Sequence, residues 1–116
     1  MKIKQSPLKR SFAFNQTAYI AKKDYDKPWK LAHEFEHLHQ QGKGFFRCIF
    51  WVLHYFASKE FRRKAETQAY KIEYKMNKSM DISWLYNTLI NDYWKAYNPN
   101  QAVEAVKTIT GEKETK

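Results

Sequence analysis

The chain has 116 residues, of which 43% are hydrophobic and 17% aromatic, and it carries a formal net charge of +9. That is enough apolar material for one modest core, which excludes a disordered tail. The single cysteine, Cys48, excludes an internal disulfide and fits a reducing compartment. The basic balance suits nucleic acid, acidic lipid or an acidic protein as partner and selects none of them.

The opening, MKIKQSPLKRSFAF, is basic but has no continuous apolar stretch, so no secretory signal is expected and a cytoplasmic location is. From Phe12 to Lys23, β-branched and aromatic residues surround an Asn-Gln pair and predict one or two short strands. Asp26 is a candidate cap for a helix that begins about Pro28, runs to Gln41 and ends at Gly42. A second helix is predicted over Phe45 to Ala57. Arg47 and His54 interrupt its apolar run, which is too short to cross a bilayer, so a buried helix with no membrane role is expected. In it, Cys48 reads as a buried inert thiol and His54 as a hydrogen-bonded core histidine.

Ser58 can cap a third helix, with Glu60 in its first turn and Phe61, Ala65, Ala69, Ile72 and Met76 on its buried line. Past NKSMD, the residues Ile82, Leu85, Tyr86, Leu89, Ile90, Tyr93 and Trp94 follow helical spacing. NPN breaks the chain, and a final short helix carries Ala102, Val103, Val106 and Ile109. Residues 1–110 therefore read as one domain and 111–116 as a frayed tail. The fold class is α+β, predominantly helical.

LAHEFEHLHQ gathers three of the four histidines into ten residues, and His33-Glu34-Phe35-Glu36-His37 has the form H-E-x-x-H. Four residues apart on a helix, His33 and His37 can aim imidazole nitrogens at one ion, and zinc accepts such ligands. Glu34, at the edge of that site, is placed to take a proton from a metal-activated water. At about 100° per residue, Leu31, Phe35 and Leu38 share one face while Trp29, His33 and His37 fall nearly opposite. A helix so patterned is covered on both sides and floors a cleft.

A third histidine six residues after His37 is absent, since Lys43 stands there, and His39 points elsewhere. Glu66 lies on the flank of the third helix, with Tyr70 and Glu73 on much the same side. The lysines at 64, 71, 75 and 78 keep to the opposite flank. That is where an inward anionic ligand belongs; the alternative is an exposed glutamate paired with Arg62 or Tyr70.

LAHEFEHLHQQ followed by FASKEFRRKAETQAY resembles the gluzincin pattern of H-E-x-x-H with a later E-x-x-A. It is most similar to small metallopeptidase-like proteins of phages and bacteria, over roughly residues 19–73. The resemblance implies zinc held by His33, His37 and Glu66, with Glu34 as general base. It also implies a minimal zincin fold, a short N-terminal β-hairpin packed on the metal-binding helices. Tyr70, Tyr19 and His39 are the candidates for stabilising an oxyanion. Gln68 departs from the pattern, because an acid is common there. The resulting expectation is a zinc-dependent peptidase acting on a protein or peptide substrate, in a bacterial or phage-infected cell. An edge of the strand element is available to hold that substrate. The second reading is a basic helical nucleic-acid-binding protein whose metal site is structural or silent.

Overall fold

The computed structural model describes residues 2–111. The predicted tail from 112 onward lies outside the described residues. Eight elements follow in order: strands β1 (Lys2–Gln5), β2 (Phe12–Phe14) and β3 (Thr17–Ile20), then helices α1 (Pro28–Gln41), α2 (Phe45–Ala57), α3 (Lys59–Met76), α4 (Ile82–Asn91) and α5 (Pro99–Thr110). The arrangement is α+β and predominantly helical, as the periodicity indicates.

β2 and β3 form the expected hairpin, paired antiparallel with Phe12 opposite Tyr19 and Phe14 opposite Thr17. Its two-residue turn, Asn15 and Gln16, takes positive φ values of 46° and 64°. This is the turn geometry that matches strand twist, and asparagine tolerates it better than glutamine does. β1 was not anticipated. It pairs parallel to β3 on the far side from β2, with all four residues exposed, so no apolar alternation marks it in the sequence.

α1 starts at Pro28 and ends at Gln41 as predicted, but Asp26 does not cap it. The N-cap is Lys27, without a side-chain bond, and a 3-10 turn over Lys22–Asp24 leads directly into the helix. Proline at the first position lacks an N–H, so one fewer orphan donor needs a cap. Gly42, at φ 74°, turns its N–H back to the Leu38 and His39 carbonyls and ends the helix. Ser58 does cap α3, accepting from the Phe61 N–H.

The sheet covers one side of α1, where Leu38 packs with Ala18 and Ile20, and Leu31 and Phe35 lie against them. α3 covers the other side. A larger apolar cluster joins α3, α4 and α5 through Tyr70, Leu85, Leu89, Tyr93, Tyr97, Ala102 and Ile109.

Three expectations need correction. The inner stripe of α3 is not Phe61, Ile72 and Met76. Ala65 and Ala69 are buried as expected, but Arg62, Glu66, Tyr70 and Glu73 complete the stripe, while Met76 is exposed. α4 stops at Asn91 because Trp94 and Lys95 adopt positive φ values of 50° and 60°, which no helix accommodates. Tyr93 still turns inward, and Trp94 is exposed. Finally, α2 is not a buried helix. Its Cys48 and Tyr55 face inward, but Phe46 and Phe50 are 77% and 70% exposed, and Phe45, Leu53 and Phe56 are exposed beside them. His54 is exposed too, stacked on Phe61 with ring centroids 3.9 Å apart. Among the described residues no helix is long and apolar enough to cross a membrane.

Candidate metal centre

The centre forms where α1 crosses α3. His33 and His37, one turn apart on α1, both point at Glu66 of α3, and all three side chains are buried. Each imidazole Nε2 lies 3.1 Å from the same oxygen, Glu66 Oε1. The three donor atoms fall within 4.8 Å of one another. Ligand atoms at zinc's usual bond lengths and tetrahedral angles lie about 3.3 Å apart, so the donor set and its spacing fit a divalent ion.

The back of each ring is tied down. His33 Nδ1 donates to Glu73 Oε1 at 2.9 Å, and His37 Nδ1 donates to Gln40 Oε1 at 3.1 Å. Gln40 is itself held in that orientation, because its amide nitrogen donates to the Ala65 carbonyl. With both protons on Nδ1, both Nε2 atoms present lone pairs to the centre. The Tyr55 hydroxyl donates to Glu66 Oε2, which leaves Oε1 turned toward the histidines. Three lone-pair atoms converging in a buried place require positive charge, supplied by protons or by a metal ion.

Protonation equilibria report the same demand. Burial disfavours charge on His33, but hydrogen bonds to Glu66 and Glu73 and the charges of Glu34 and Glu66 outweigh it, raising its pKa to about 10. His37 is also raised, with Glu66 overcoming the effect of burial. Burial alone would raise Glu66. The charges and hydrogen bonds of the two histidines instead hold it well below the carboxylate range.

Glu34 differs from every other acid here. It is 7% exposed, yet its carboxylate makes no hydrogen bond or ion pair among the described residues. Burial raises its pKa against the opposing pull of His33 and His37. It faces a groove of about 2000 Å³ whose floor also includes His33, His37 and Glu66. α2 contributes Trp51 and Tyr55 to the groove, and the segment after α4 contributes Tyr93 to Ala96. Arg62 locks that segment in place: it donates to the carbonyls of Tyr93 and Trp94 and, from the same guanidinium, to that of Tyr55.

Of the three oxyanion candidates, Tyr70 alone borders the groove. Its ring meets His33 edge-on at 4.4 Å, and its hydroxyl bonds that of Tyr93 at 2.6 Å. Tyr19 stacks on Phe12 in the sheet, and His39 is exposed on α1. Glu66 pairs with neither Arg62 nor Tyr70. Sequence reasoning missed Tyr55 and Gln40 as supports and placed Glu73 beside Glu66 without giving it a role. Helical spacing points to Glu73, seven residues after Glu66, and to Gln40, three after His37. Nothing in the apolar run of α2 singles out Tyr55.

The β2 edge is already engaged, since the Ala13 carbonyl accepts from Gln41 Nε2 at 2.9 Å and the Asn15 N–H is shared between Gln41 and Cys48. No family model, curated protein or solved structure matches the chain. The gluzincin resemblance therefore rests on the motif residues and on the buried cluster they form.

Proposed function

We propose that the protein is a zinc-dependent peptidase, with His33, His37 and Glu66 as metal ligands and Glu34 as general base. The observation that carries this is Glu34, whose side chain is largely buried beside the three ligands while its carboxylate, bound to no other side chain, opens onto the groove. That carboxylate holds no ligand in place, and a proton acceptor for bound substrate has to stand open to the groove in this way. Zinc, when bound, supplies a Lewis acid that polarises a carbonyl and makes water acidic.

The chain's own residues do the rest. Glu34, its pKa raised by burial, accepts the proton of the attacking water and returns it to the leaving amine. Glu73 and Gln40 keep both imidazoles in the tautomer that leaves Nε2 free, and Tyr55 keeps Glu66 to one ligating oxygen. Tyr70, beside His33, is the proposed oxyanion donor. The nucleic-acid reading has the net charge of +9 behind it and no arrangement of side chains particular to it.

The deciding comparison is between two substitutions of equal size. Glu34→Gln retains about one zinc per chain and loses hydrolysis by at least a hundredfold. Glu66→Gln loses the zinc, because a neutral amide is a poor ligand for a divalent cation. Metal analysis after gel filtration, alongside hydrolysis of a quenched fluorescent peptide library, reads both. A Glu66→Gln protein that keeps its zinc as tightly as the wild type removes the ligand assignment.

A further inference from the structure

The groove above the centre has a strongly uneven charge. Eight lysine and arginine residues border it against four acids, and two of those acids, Glu34 and Glu66, belong to the floor. Of the remaining two acids, Asp24 is buried and bound to Ser11 and Lys27, and Asp92 is exposed just after α4. Among the cations, Lys27 and Lys30 are in ion pairs and Arg63 donates to the Ala96 carbonyl. Lys9, Arg10, Lys23, Lys59 and Lys95 are exposed and form no ion pair among the described residues. They come from separate segments: the β1–β2 connection, the 3-10 turn, the start of α3 and the segment after α4. Free cations thus stand around a floor where the charges of Glu34 and Glu66 are offset at the metal centre.

We infer that the groove selects acidic polypeptide segments, the scissile bond lying over the metal centre and acidic side chains on either side reaching the cationic rim. This deepens the peptidase reading and rests on it. A polypeptide fits the charge layout because it can present a neutral amide to the floor and carboxylates to the rim. A nucleic-acid strand bears a phosphate at every step and would bring some of them against the open Glu34 carboxylate. Recognition is assigned to side chains, and the Ala13 carbonyl on the β2 edge beside the groove already accepts from Gln41. Attraction of this kind raises association rates and weakens with salt.

The test uses the zinc-loaded protein and dye-labelled eight-residue peptides that differ only in carrying Asp and Glu, Asn and Gln, or Lys and Arg. Fluorescence anisotropy at mixing reports binding, and its later decay reports cleavage. The acidic peptide should bind at least tenfold more tightly than its amide counterpart at low salt, with the gap closing in 0.5 M sodium chloride. Replacing Lys9, Arg10 and Lys95 by serine should remove most of that preference while circular dichroism and zinc content stay unchanged. Equal binding of the three peptides, or a preference that survives the triple substitution, overturns the inference. Cleavage without charge preference defeats it and leaves the peptidase reading standing. Charge-selective binding with no decay defeats the peptidase reading and, with it, the scissile bond over the centre, leaving only the groove's preference for acidic segments. An eight-nucleotide single strand that binds as tightly as the acidic peptide would make the groove a nucleic-acid site and overturn the inference as well.

Discussion

At the scale of single residues, His33 links pH, metal and stability. With protons at the centre, its folded pKa of about 10 lies above the unfolded value of 6.5. The stability it contributes is then complete below about pH 6.5 and is lost as pH rises through 10. Glu66 acts in the opposite sense: its depressed pKa contributes above about 4.5 and is lost as pH falls through the folded value. A metal ion displaces the imidazole protons, so its affinity rises over the window in which the protonated form weakens. Melting temperatures taken with zinc and with a chelator should therefore separate further between pH 6.5 and 8.5. Curves that stay parallel across that range would show that no proton leaves on metal binding. Glu73 tests how much the support behind a ligand matters. Glu73→Gln should lower zinc affinity about 10- to 100-fold, the usual cost of losing a carboxylate behind a ligating histidine. Competition with a chromogenic chelator measures this, and an unchanged affinity would reduce Glu73 to a partner for Lys30.

At the scale of elements, legibility followed the kind of signal. α1 and α2 have their predicted ends and α3 its predicted start because Pro28, Gly42 and Ser58 act locally, where a residue's own backbone chemistry decides. The stripe of α3 was misread because apolar periodicity assumes a greasy inner face, whereas this helix buries Arg62, Glu66 and Glu73. Their partners are His33, His37 and Lys30, remote in sequence, and backbone carbonyls both near and far along the chain. The motif made the two histidines and Glu34 legible; Tyr55 was not, because only tertiary packing brings it to Glu66. The hairpin turn offers a direct check on local chemistry. Gln16 sits at φ 64° and is exposed, and glycine there completes the Asn-Gly pair that this turn prefers. Gln16→Gly should stabilise the protein by about 0.5–1 kcal/mol in urea unfolding, and a loss of stability would contradict the turn assignment.

At the scale of the whole molecule, two apolar clusters lie on either side of a polar junction. The sheet and α1 supply the small one, α3 to α5 the large one, and the metal centre lies between them where α1 meets α3. Stripping the metal should raise hydrogen exchange in α1 and the first half of α3 well before α4 and α5 respond. Uniform loosening would mean that the centre does not join the two halves. The bare aromatic face of α2 acts on a different quantity. Unfolding raises heat capacity because apolar groups become hydrated. Phe46 and Phe50, with Phe45, Leu53 and Phe56, already meet water in the native chain. That share of the increment is therefore missing. Calorimetry should give a value below the usual range of about 12–15 cal/mol/K per residue. The stability curve should then be broad and shallow, changing little between cold and warm conditions.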